Sequence, residues 1–459
     1  MVFSSLVFLF LFLPLSVLFY FIAPGLKAKN AILLVFSLVF YAWGEPVYIF
    51  LMIFSILMNY ALGRLMEEEP DKKKRTLIFA VAVNLLVLGF YKYYGFLLTS
   101  LNDWWGTNFY VHKIPLPIGI SFYTFQAMSY IIDLYRGKFK AQQSLLDFGL
   151  YISMYFQLIA GPIVRYQDVE KQLKEREISA ARLGRGMAIF LFGLGKKVLI
   201  ANTTGELFDA VQAMGAQVST ATAWLGAAAY MLQIYFDFSG YSDMAIGLAY
   251  AFGFDFPVNF NKPYLSRSLT EFWRRWHISL GTWFREYVYI PLGGNRVKSK
   301  KQIRNILIVW ALTGLWHGAA WSFMIWGLYH GVILMAEKYL FKKKALPAVP
   351  GHILTLLIVC VGWVFFSANS LADAGVTLRA MAGFARGGLA DHTALSLLAA
   401  HGAWLLAGIL CCLPQADRLK NAMIERNKVA LVAATLAILG LSIAFLVTKN
   451  YNPFLYFRF

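Results

Sequence analysis

Long apolar runs separated by short polar loops make up almost the whole chain. Most of these runs are long enough for a helix that crosses roughly 30 Å of hydrocarbon. The predicted membrane spans are 3–24, 30–44, 46–66, 76–98, 114–134, 184–202, 223–254, 351–367, 394–413 and 429–448. The pattern predicts an all-α polytopic membrane protein that forms one membrane domain over 1–459, without a separate soluble domain.

Charged loops between the spans predict an orientation. Lys27, Lys29 and the "DKKKR" run at 71–75 indicate cytoplasmic loops, whereas Glu45 and the uncharged N-terminus indicate the other side. The first span lacks the basic region and cleavage site of a signal peptide, so we interpret it as a retained span. Following the alternation to the end of the chain, we expect both termini to be extracytoplasmic.

One apolar stretch, 145–164, lies between two segments that both carry cytoplasmic-type charge, which predicts a re-entrant element. Its break is expected at "QLIAGPI", where Gly161 and Pro162 interrupt a helix and leave backbone groups unpaired. Such groups are tolerated at membrane depth only inside protein or beside a water-filled cavity. Gln157, at this break, is therefore a candidate for lining a pore or binding substrate.

The overall composition narrows the class of protein further. Hydrophobic residues make up 59% of the chain and charged residues 14%, and the mean hydropathy is +0.58, which excludes an ordinary soluble domain. The net charge of +18 lies in short loops, where membrane topology alone explains it, so we expect no nucleic-acid partner. These loops would instead attract anionic membrane lipids or an anionic donor. The cysteines lack metal-type spacing, so we expect no metal site.

A histidine in the apolar run "LTGLWHGAAW" is the first candidate for chemistry. His317 lies in 305–336, a stretch with basic flanks on both sides, which predicts a hairpin whose tip holds His317 and Gly318. Burying an imidazole costs free energy unless it is hydrogen-bonded or used. Small residues after His317 leave room for a ligand, and Trp316 and Trp321 could line the pocket.

A second histidine, His277, lies in the basic and aromatic segment 269–294. If this segment is one helix, Trp273, Trp276 and His277 share a face while Arg274 turns away, which indicates an interfacial helix or the wall of a cytoplasmic vestibule. The segment's basic residues would also suit a donor that carries phosphate. Its candidate residues are Arg274, Arg275, Trp276 and His277.

Two carboxylates lie in the membrane-like stretch "FDFSGYSDMAIG" at 236–247. Ionised carboxylates are costly there and are usually paired or functional. Tyr241 falls four residues after Asp237, on the same helical face. We favour a structural or pore-lining role for Asp237 and Tyr241, but a proton or cation pathway that also uses Asp243 stays open, and with it a transporter. Motifs of serine hydrolases, ATPases and zinc enzymes do not occur in the sequence.

Several long motifs, in order, are similar to those of the membrane-bound O-acyltransferases, in particular the bacterial branch that acetylates alginate or peptidoglycan and the related teichoic-acid D-alanylation proteins. The resemblance covers nearly the whole chain. The motifs are "MVFSSLVFLFLFLPL", "PLPIGISFYTFQAMSYIID", "FQLIAGPIVRY", "DFSGYSDMAIG", "EFWRRWHISLGTWFREYVYIPLGG" and "LTGLWHGAAWSF".

The resemblance implies a fold and a reaction. The fold is a ring of about 11 membrane helices with re-entrant elements around a central funnel, with its catalytic region at about 115–340, further spans at 351–448 and an extracytoplasmic tail at 449–459. His317 matches the family histidine and would act as general base, and His277 matches the second histidine and would assist with the donor. The donor would be acetyl-CoA or another acyl carrier, and no permanently bound cofactor is expected.

The resemblance also implies partners and a location. Acetyl groups would cross the bacterial inner membrane toward a polysaccharide or peptidoglycan, through an extracytoplasmic partner of the SGNH-hydrolase type. The ending "NPFLYFRF" resembles a terminal motif whose tyrosine carries the acyl group, which makes Tyr456 a candidate acyl relay, although an aromatic anchor at the membrane interface explains the run equally well. A teichoic-acid D-alanyltransferase is the alternative within the enzyme class.

Overall fold

A computed structural model describes residues 1–341, 346–449 and 451–455. These residues form helices, turns and irregular segments, and none of them lies in a β-strand. The main helices are Leu13–Ile22, Gly25–Gly44, Ile49–Glu68, Lys73–Trp105, Ile120–Tyr135, Leu145–Ser153, Tyr166–Lys174, Ala180–Gly195, Asn202–Ala213, Thr220–Ala251, Leu269–Arg275, Ile278–Phe284, Ser299–His317, Trp321–Met335, Ala348–Ser367, Leu371–Arg379, His392–Cys412, Pro414–Arg426 and Lys428–Thr448.

Six helices in the described part of the chain are long and apolar enough to cross a membrane. They are Gly25–Gly44, Ile49–Glu68, Pro70–Trp105, Ala348–Ser367, His392–Cys412 and Lys428–Thr448. Large apolar side chains on their surfaces are exposed, as expected where lipid is the solvent. The expected all-α polytopic architecture is confirmed, whereas the number of about 11 spans stays a prediction.

The chain divides into two compact units. The first comprises Met1–Met187 and Ala245–Pro257, and the second comprises Ala188–Met244 and Val258–Phe459. The single domain expected over 1–459 stays a prediction.

The irregular segment after Leu145–Ser153 belongs to the first unit. The helix ends at Ser153, earlier than the break expected at Gly161 and Pro162, and the buried backbone then turns. Side chains satisfy part of this backbone, since the Tyr155 N–H donates to Ser37 Oγ at 3.1 Å and Gln157 Nε2 donates to the Tyr151 carbonyl at 2.5 Å. A buried, non-helical segment is therefore confirmed, although it begins at Met154, seven residues before Gly161.

The helical hairpin of Ser299–His317 and Trp321–Met335 belongs to the second unit. Its two helices approach closely where glycine replaces a side chain. A Cβ atom at Gly327 would lie 2.3 Å from the Trp310 carbonyl oxygen, and one at Gly314 would lie 2.4 Å from the Phe323 carbonyl oxygen. His317 is the last residue of the first helix. The predicted hairpin with His317 at its tip is confirmed.

We expect Gly327→Ala to destabilise this hairpin, because the added methyl group would collide with backbone that cannot rotate away. Overpacking of this kind costs about 1–3 kcal/mol. The matched control is Gly440→Ala, whose added Cβ would meet nothing within 4 Å. Thermal stability of the two purified variants in detergent should separate them, and equal melting temperatures would contradict the packing described here.

Candidate functional site

A small cavity in the second unit contains the first candidate histidine. Its volume of about 20 Å³ is close to the space that one water molecule needs. The lining residues are Ile234, Asp237, Phe238, Trp276, His317, Trp326, Trp363, Phe366, Phe454 and Leu455. Aromatic rings form most of the wall, so the polar groups of His317 and Asp237 face a cavity that is otherwise mainly apolar.

His317 is held within a group of aromatic rings at the tip of the hairpin. Its side chain is 6% exposed. Its ring centre lies 5.0 Å from those of Trp316 and Trp326 and 5.2 Å from that of Phe366. Because His317 ends its helix and Gly318 continues in extended backbone, the imidazole is held at a fixed place while the chain turns away from it.

His277 lies at a break between two short helices, which corrects the single helix expected over this segment. Leu269–Arg275 ends before it and Ile278–Phe284 begins after it. His277 has a φ of 44°, in the left-handed region that a residue with a Cβ atom seldom adopts. A shared face for Trp273, Trp276 and His277 along one continuous helix is therefore wrong.

Asn259 explains why the chain breaks at this point. Its Oδ1 accepts hydrogen bonds from the backbone N–H of Ser279 at 3.1 Å and from Ser279 Oγ at 2.9 Å. The same oxygen lies 3.2 Å from His277 Nδ1. Since the Ser279 N–H can only donate, Asn259 Oδ1 is the acceptor, and His277 Nδ1 therefore carries the proton. This assigns the lone pair of the neutral ring to Nε2.

His277 lies outside the six apolar helices that could cross a membrane. Burial lowers the pKa of its imidazole to about 3, so the ring is neutral at physiological pH. Its ring centre is 5.8 Å from that of Trp316, which in turn contacts His317. Trp316 therefore links the two histidines, although His277 does not line the cavity.

We expect Asn259→Ala to lower activity by releasing the His277 ring and leaving the Ser279 N–H without this acceptor. Losing one partner of buried hydrogen bonds costs about 1–3 kcal/mol, which corresponds to roughly a 5- to 150-fold change in rate if the full cost falls on the reaction. Steady-state transfer assays on equal amounts of protein would measure this. Unchanged kinetics would show that the orientation of His277 does not matter.

A buried ion pair forms the polar side of the cavity. The Asp237 carboxylate lies 2.5 Å from Lys197 Nζ, and the two side chains are only 4% and 3% exposed. Asp243 pairs separately with Lys196 at 2.7 Å. Each carboxylate therefore has its own lysine partner, and its charge is balanced by an adjacent positive charge, as expected for charges at membrane depth.

The C-terminal tail folds back into the second unit, where the structure describes it as far as Leu455. Tyr451 Oη donates to Asp209 Oδ2 at 2.7 Å, and the Leu455 N–H donates to Asp237 Oδ2 at 2.9 Å. Phe454 and Leu455 line the cavity beside His317. The proposed relay residue, Tyr456, lies outside the described residues.

Of the other candidates from the sequence, some line the cavity and others do not. Trp276 lines it, and Tyr241 is buried with its ring 4.8 Å from that of Phe454. Trp316 and Trp321 were both expected to line the pocket, but neither is among the lining residues. Trp316 is buried beside His317, whereas Trp321 is 39% exposed. As the first residue of its helix, Trp321 follows the turn that separates it from His317.

The remaining candidates do not line this cavity. Arg274 is exposed, whereas Arg275 pairs with Glu271 at 2.8 Å and donates to the Asn261 carbonyl at 3.2 Å. Gln157 belongs to the first unit, where its amide nitrogen bonds the backbone. Arg274 is thus the more accessible of the two arginines for a ligand.

Sequence reasoning missed Lys197 and Asn259. Lys197 was detectable, because a charged residue inside the apolar run 184–202 is itself a signal of function or pairing. Asn259 gave no comparable signal, because its role depends on contacts with residues 277 and 279. His330, in the second helix of the hairpin, packs with its ring centre 5.0 Å from that of Trp273.

The fold and the cavity together define an integral membrane protein with a buried histidine at a small internal cavity. The chain belongs to the membrane-bound O-acyltransferase (MBOAT) family, whose family model matches residues 138–372. This range contains both His277 and His317.

Three relatives make the relation more specific. "Probable alginate O-acetylase AlgI" of Pseudomonas aeruginosa is 45% identical over 394 residues, which is 84% of this chain and 75% of the relative. The protein of the same name from Pseudomonas putida is 39% identical over 491 residues and covers 100% of both chains. "Peptidoglycan O-acetyltransferase" of Helicobacter pylori is 36% identical over 422 residues, 83% of this chain and 80% of the relative.

These findings confirm the resemblance and the enzyme class. The chain is a multi-pass membrane O-acetyltransferase, and the transporter interpretation is set aside.

Proposed function

We propose that the chain moves acetyl groups from acetyl-CoA on the cytoplasmic side to an acceptor hydroxyl on the other side of the bacterial inner membrane. The observation that carries this proposal is the meeting of His317 and the C-terminal tail at one buried cavity. The general base and the tail that brings the acyl acceptor would then meet at this cavity.

His317 would act as the general base. A hydroxyl is a poor nucleophile until its proton is removed, and an imidazole is suited to that task. The hydroxyl oxygen would bond to the thioester carbonyl carbon while its proton passes to His317. The carbon–sulfur bond would then break, and the leaving thiolate would take the proton. The products are an acetyl ester and the free thiol of CoA.

His277 and the basic segment around it would serve the donor. The neutral His277 ring is held through Nδ1, which leaves Nε2 as an acceptor. Arg274 is exposed and would bind phosphate groups of CoA by charge-assisted hydrogen bonds. These residues would position the thioester while His317 takes the proton.

The acceptor side is supported by a second, larger cavity in the same unit. It has a volume of about 320 Å³ and shares Trp363 with the His317 cavity. Polar groups on its wall include Gln212, Asn369 and Asp373. Part of the wall comes from the helix Asn202–Ala213 and the residues that follow it. The segment 203–220 contains no Lys or Arg, which fits the extracytoplasmic side. Acceptor groups would approach from there.

Tyr456 would receive the acetyl group and pass it to an extracytoplasmic partner of the SGNH-hydrolase type, which acetylates a polysaccharide or peptidoglycan. This role is supported by the tail's entry into the cavity as far as Leu455. Both termini would be extracytoplasmic, in line with the charge distribution of the loops.

Proteoliposomes test the donor directly. Purified protein is reconstituted, and acetyl-CoA labelled in the acetyl group is supplied on one face. A parallel sample receives a D-alanyl carrier protein labelled in the D-alanyl group. We expect label to appear on the protein or on an added acceptor only with acetyl-CoA, together with release of free CoA thiol. Labelling from the D-alanyl donor alone would overturn the acetyl assignment and support D-alanyl transfer.

A further inference from the structure

Lys197 is a buried charged residue, 3% exposed. A buried charge is costly unless it is paired or has a function. Lys197 lies on the turn Lys196–Ala201, a π-helical insertion between Ala180–Gly195 and Asn202–Ala213. Insertions of this kind occur often at functional sites because they redirect side chains. Here the turn directs Lys196 to Asp243 and Lys197 to Asp237. Within the described tail residues 451–455, the second of these ion pairs contacts the tail and the first does not.

The Lys197–Asp237 pair contacts the tail backbone with both of its charges. Asp237 Oδ2 accepts the Leu455 N–H at 2.9 Å, and Lys197 Nζ donates to the Pro453 carbonyl oxygen. Asn202, one turn further along, donates through Nδ2 to Asn452 Oδ1 at 3.2 Å, and its own Oδ1 accepts from Lys197 Nζ at 2.9 Å.

The polarity of these contacts matches the polarity of a peptide backbone. The carboxylate meets an N–H and the ammonium meets a C=O, two residues apart along the tail. Charge-assisted hydrogen bonds are stronger than neutral ones, and in a buried setting they fix geometry as well. The register of the tail is thereby set at residues 453 and 455, immediately before Tyr456 in the sequence.

We propose that the Lys197–Asp237 ion pair is the binding site for the C-terminal tail, and that it sets how far the tail enters the His317 cavity. Lys197 and Asp237 are then positioning residues for acyl transfer rather than groups that react. The functional part of this inference rests on the proposed role of the tail as acyl acceptor, whereas the binding part does not.

Hydrogen–deuterium exchange of the full-length protein in detergent tests the binding part. In Asp237→Asn and in Lys197→Met, we expect peptides that contain 451–455 to exchange at least about tenfold faster, since a hydrogen bond to a charged group is lost or weakened. Peptides from Ile49–Glu68, in the first unit, should not change. Lys197→Arg keeps the charge and the donors and should retain most of the protection.

Lys196→Met is the matched control, because it breaks the neighbouring ion pair with Asp243, which makes no contact with the described tail residues 451–455. We expect its tail exchange to equal that of the wild type. Tail exchange that stays unchanged in Asp237→Asn, or that rises equally in Lys196→Met, would overturn the assignment of a specific tail site.

The reversed pair Lys197→Asp with Asp237→Lys distinguishes tail binding from a merely structural ion pair. Reversal restores opposite charges, but it places an ammonium at the Leu455 N–H and a carboxylate at the Pro453 carbonyl. We expect folded protein to be recovered while fast tail exchange persists and acetyl transfer stays at least about tenfold below that of the wild type. Recovery of both tail protection and transfer would overturn the proposal.

Failure of the proposed function has a different signature. If His317→Asn leaves transfer intact while the tail exchange responds as described, the catalytic assignment is wrong and the tail site stands. If tail protection is lost in Asp237→Asn but acetyl transfer keeps the wild-type rate, the positioning role is wrong even though the tail binds there.

Discussion

Acetyl transfer by His317→Asn is expected to fall by about 100- to 10,000-fold, the range that a general base contributes. Asparagine fills much of the space of the imidazole and can still form hydrogen bonds, but it cannot take the proton of the attacking hydroxyl. The loss should therefore lie in the chemical step. Release of CoA thiol by reconstituted protein, measured at saturating donor, would report it.

The control for this experiment is His330→Asn, at a second histidine of the same hairpin. His330 is 1% exposed and packs against Trp273 and Trp326, but it does not line the cavity. We expect its effect to appear as lower stability rather than as a slow chemical step. If both variants lose activity equally at equal abundance, His317 has no special role in proton transfer.

Tyr456→Phe is expected to abolish acyl relay, because only the tyrosine hydroxyl can form an ester. Under the relay mechanism, transfer to the partner should fall by at least about 100-fold, comparable to the loss of a general base. Mass spectrometry of the C-terminal peptide, after the intermediate is trapped with labelled acetyl-CoA and no partner, should show one acetyl group in the wild type and none in the variant.

Tyr451→Phe supplies the matched control within the tail. Its hydroxyl is engaged with Asp209 at 2.7 Å, so we expect it to support the tail rather than to carry an acyl group. This variant should still be acetylated at the C-terminal peptide. If acetylation disappears in Tyr451→Phe and persists in Tyr456→Phe, the acyl group is carried by Tyr451, and the assignment of the relay to Tyr456 is wrong.

Features set by local composition were predictable from the sequence. Apolar length identified the six described helices that are long and apolar enough to cross a membrane, and basic residues on both sides of 305–336 identified the hairpin that carries His317 at its tip. The tip position follows from simple geometry. Because the basic flanks place both ends of the stretch on the same side of the membrane, the turn falls near its middle. The same reasoning found a buried non-helical segment near Gln157 but placed its beginning too late.

Features that depend on distant contacts were not predictable. The break at His277 arises because Asn259, 18 residues earlier, accepts hydrogen bonds that a continuous helix would satisfy within itself. The partner of Asp237 is 40 residues away, as the numbering of Lys197 shows. Helical periodicity carries no information about either pairing, so the amphipathic pattern of 269–294 suggested one helix where two are present.

The tryptophans around the His317 cavity suggest how the enzyme would distinguish among acyl groups. Trp276, Trp326 and Trp363 line part of a space of about 20 Å³, and closely packed indole rings have fewer rotatable bonds than aliphatic chains. A two-carbon group would already have to displace these walls slightly, and each further methylene would have to displace a ring further. The rigidity of the tryptophan wall would then limit the length of the acyl group, and a residue that binds the end of the acyl chain would not be needed.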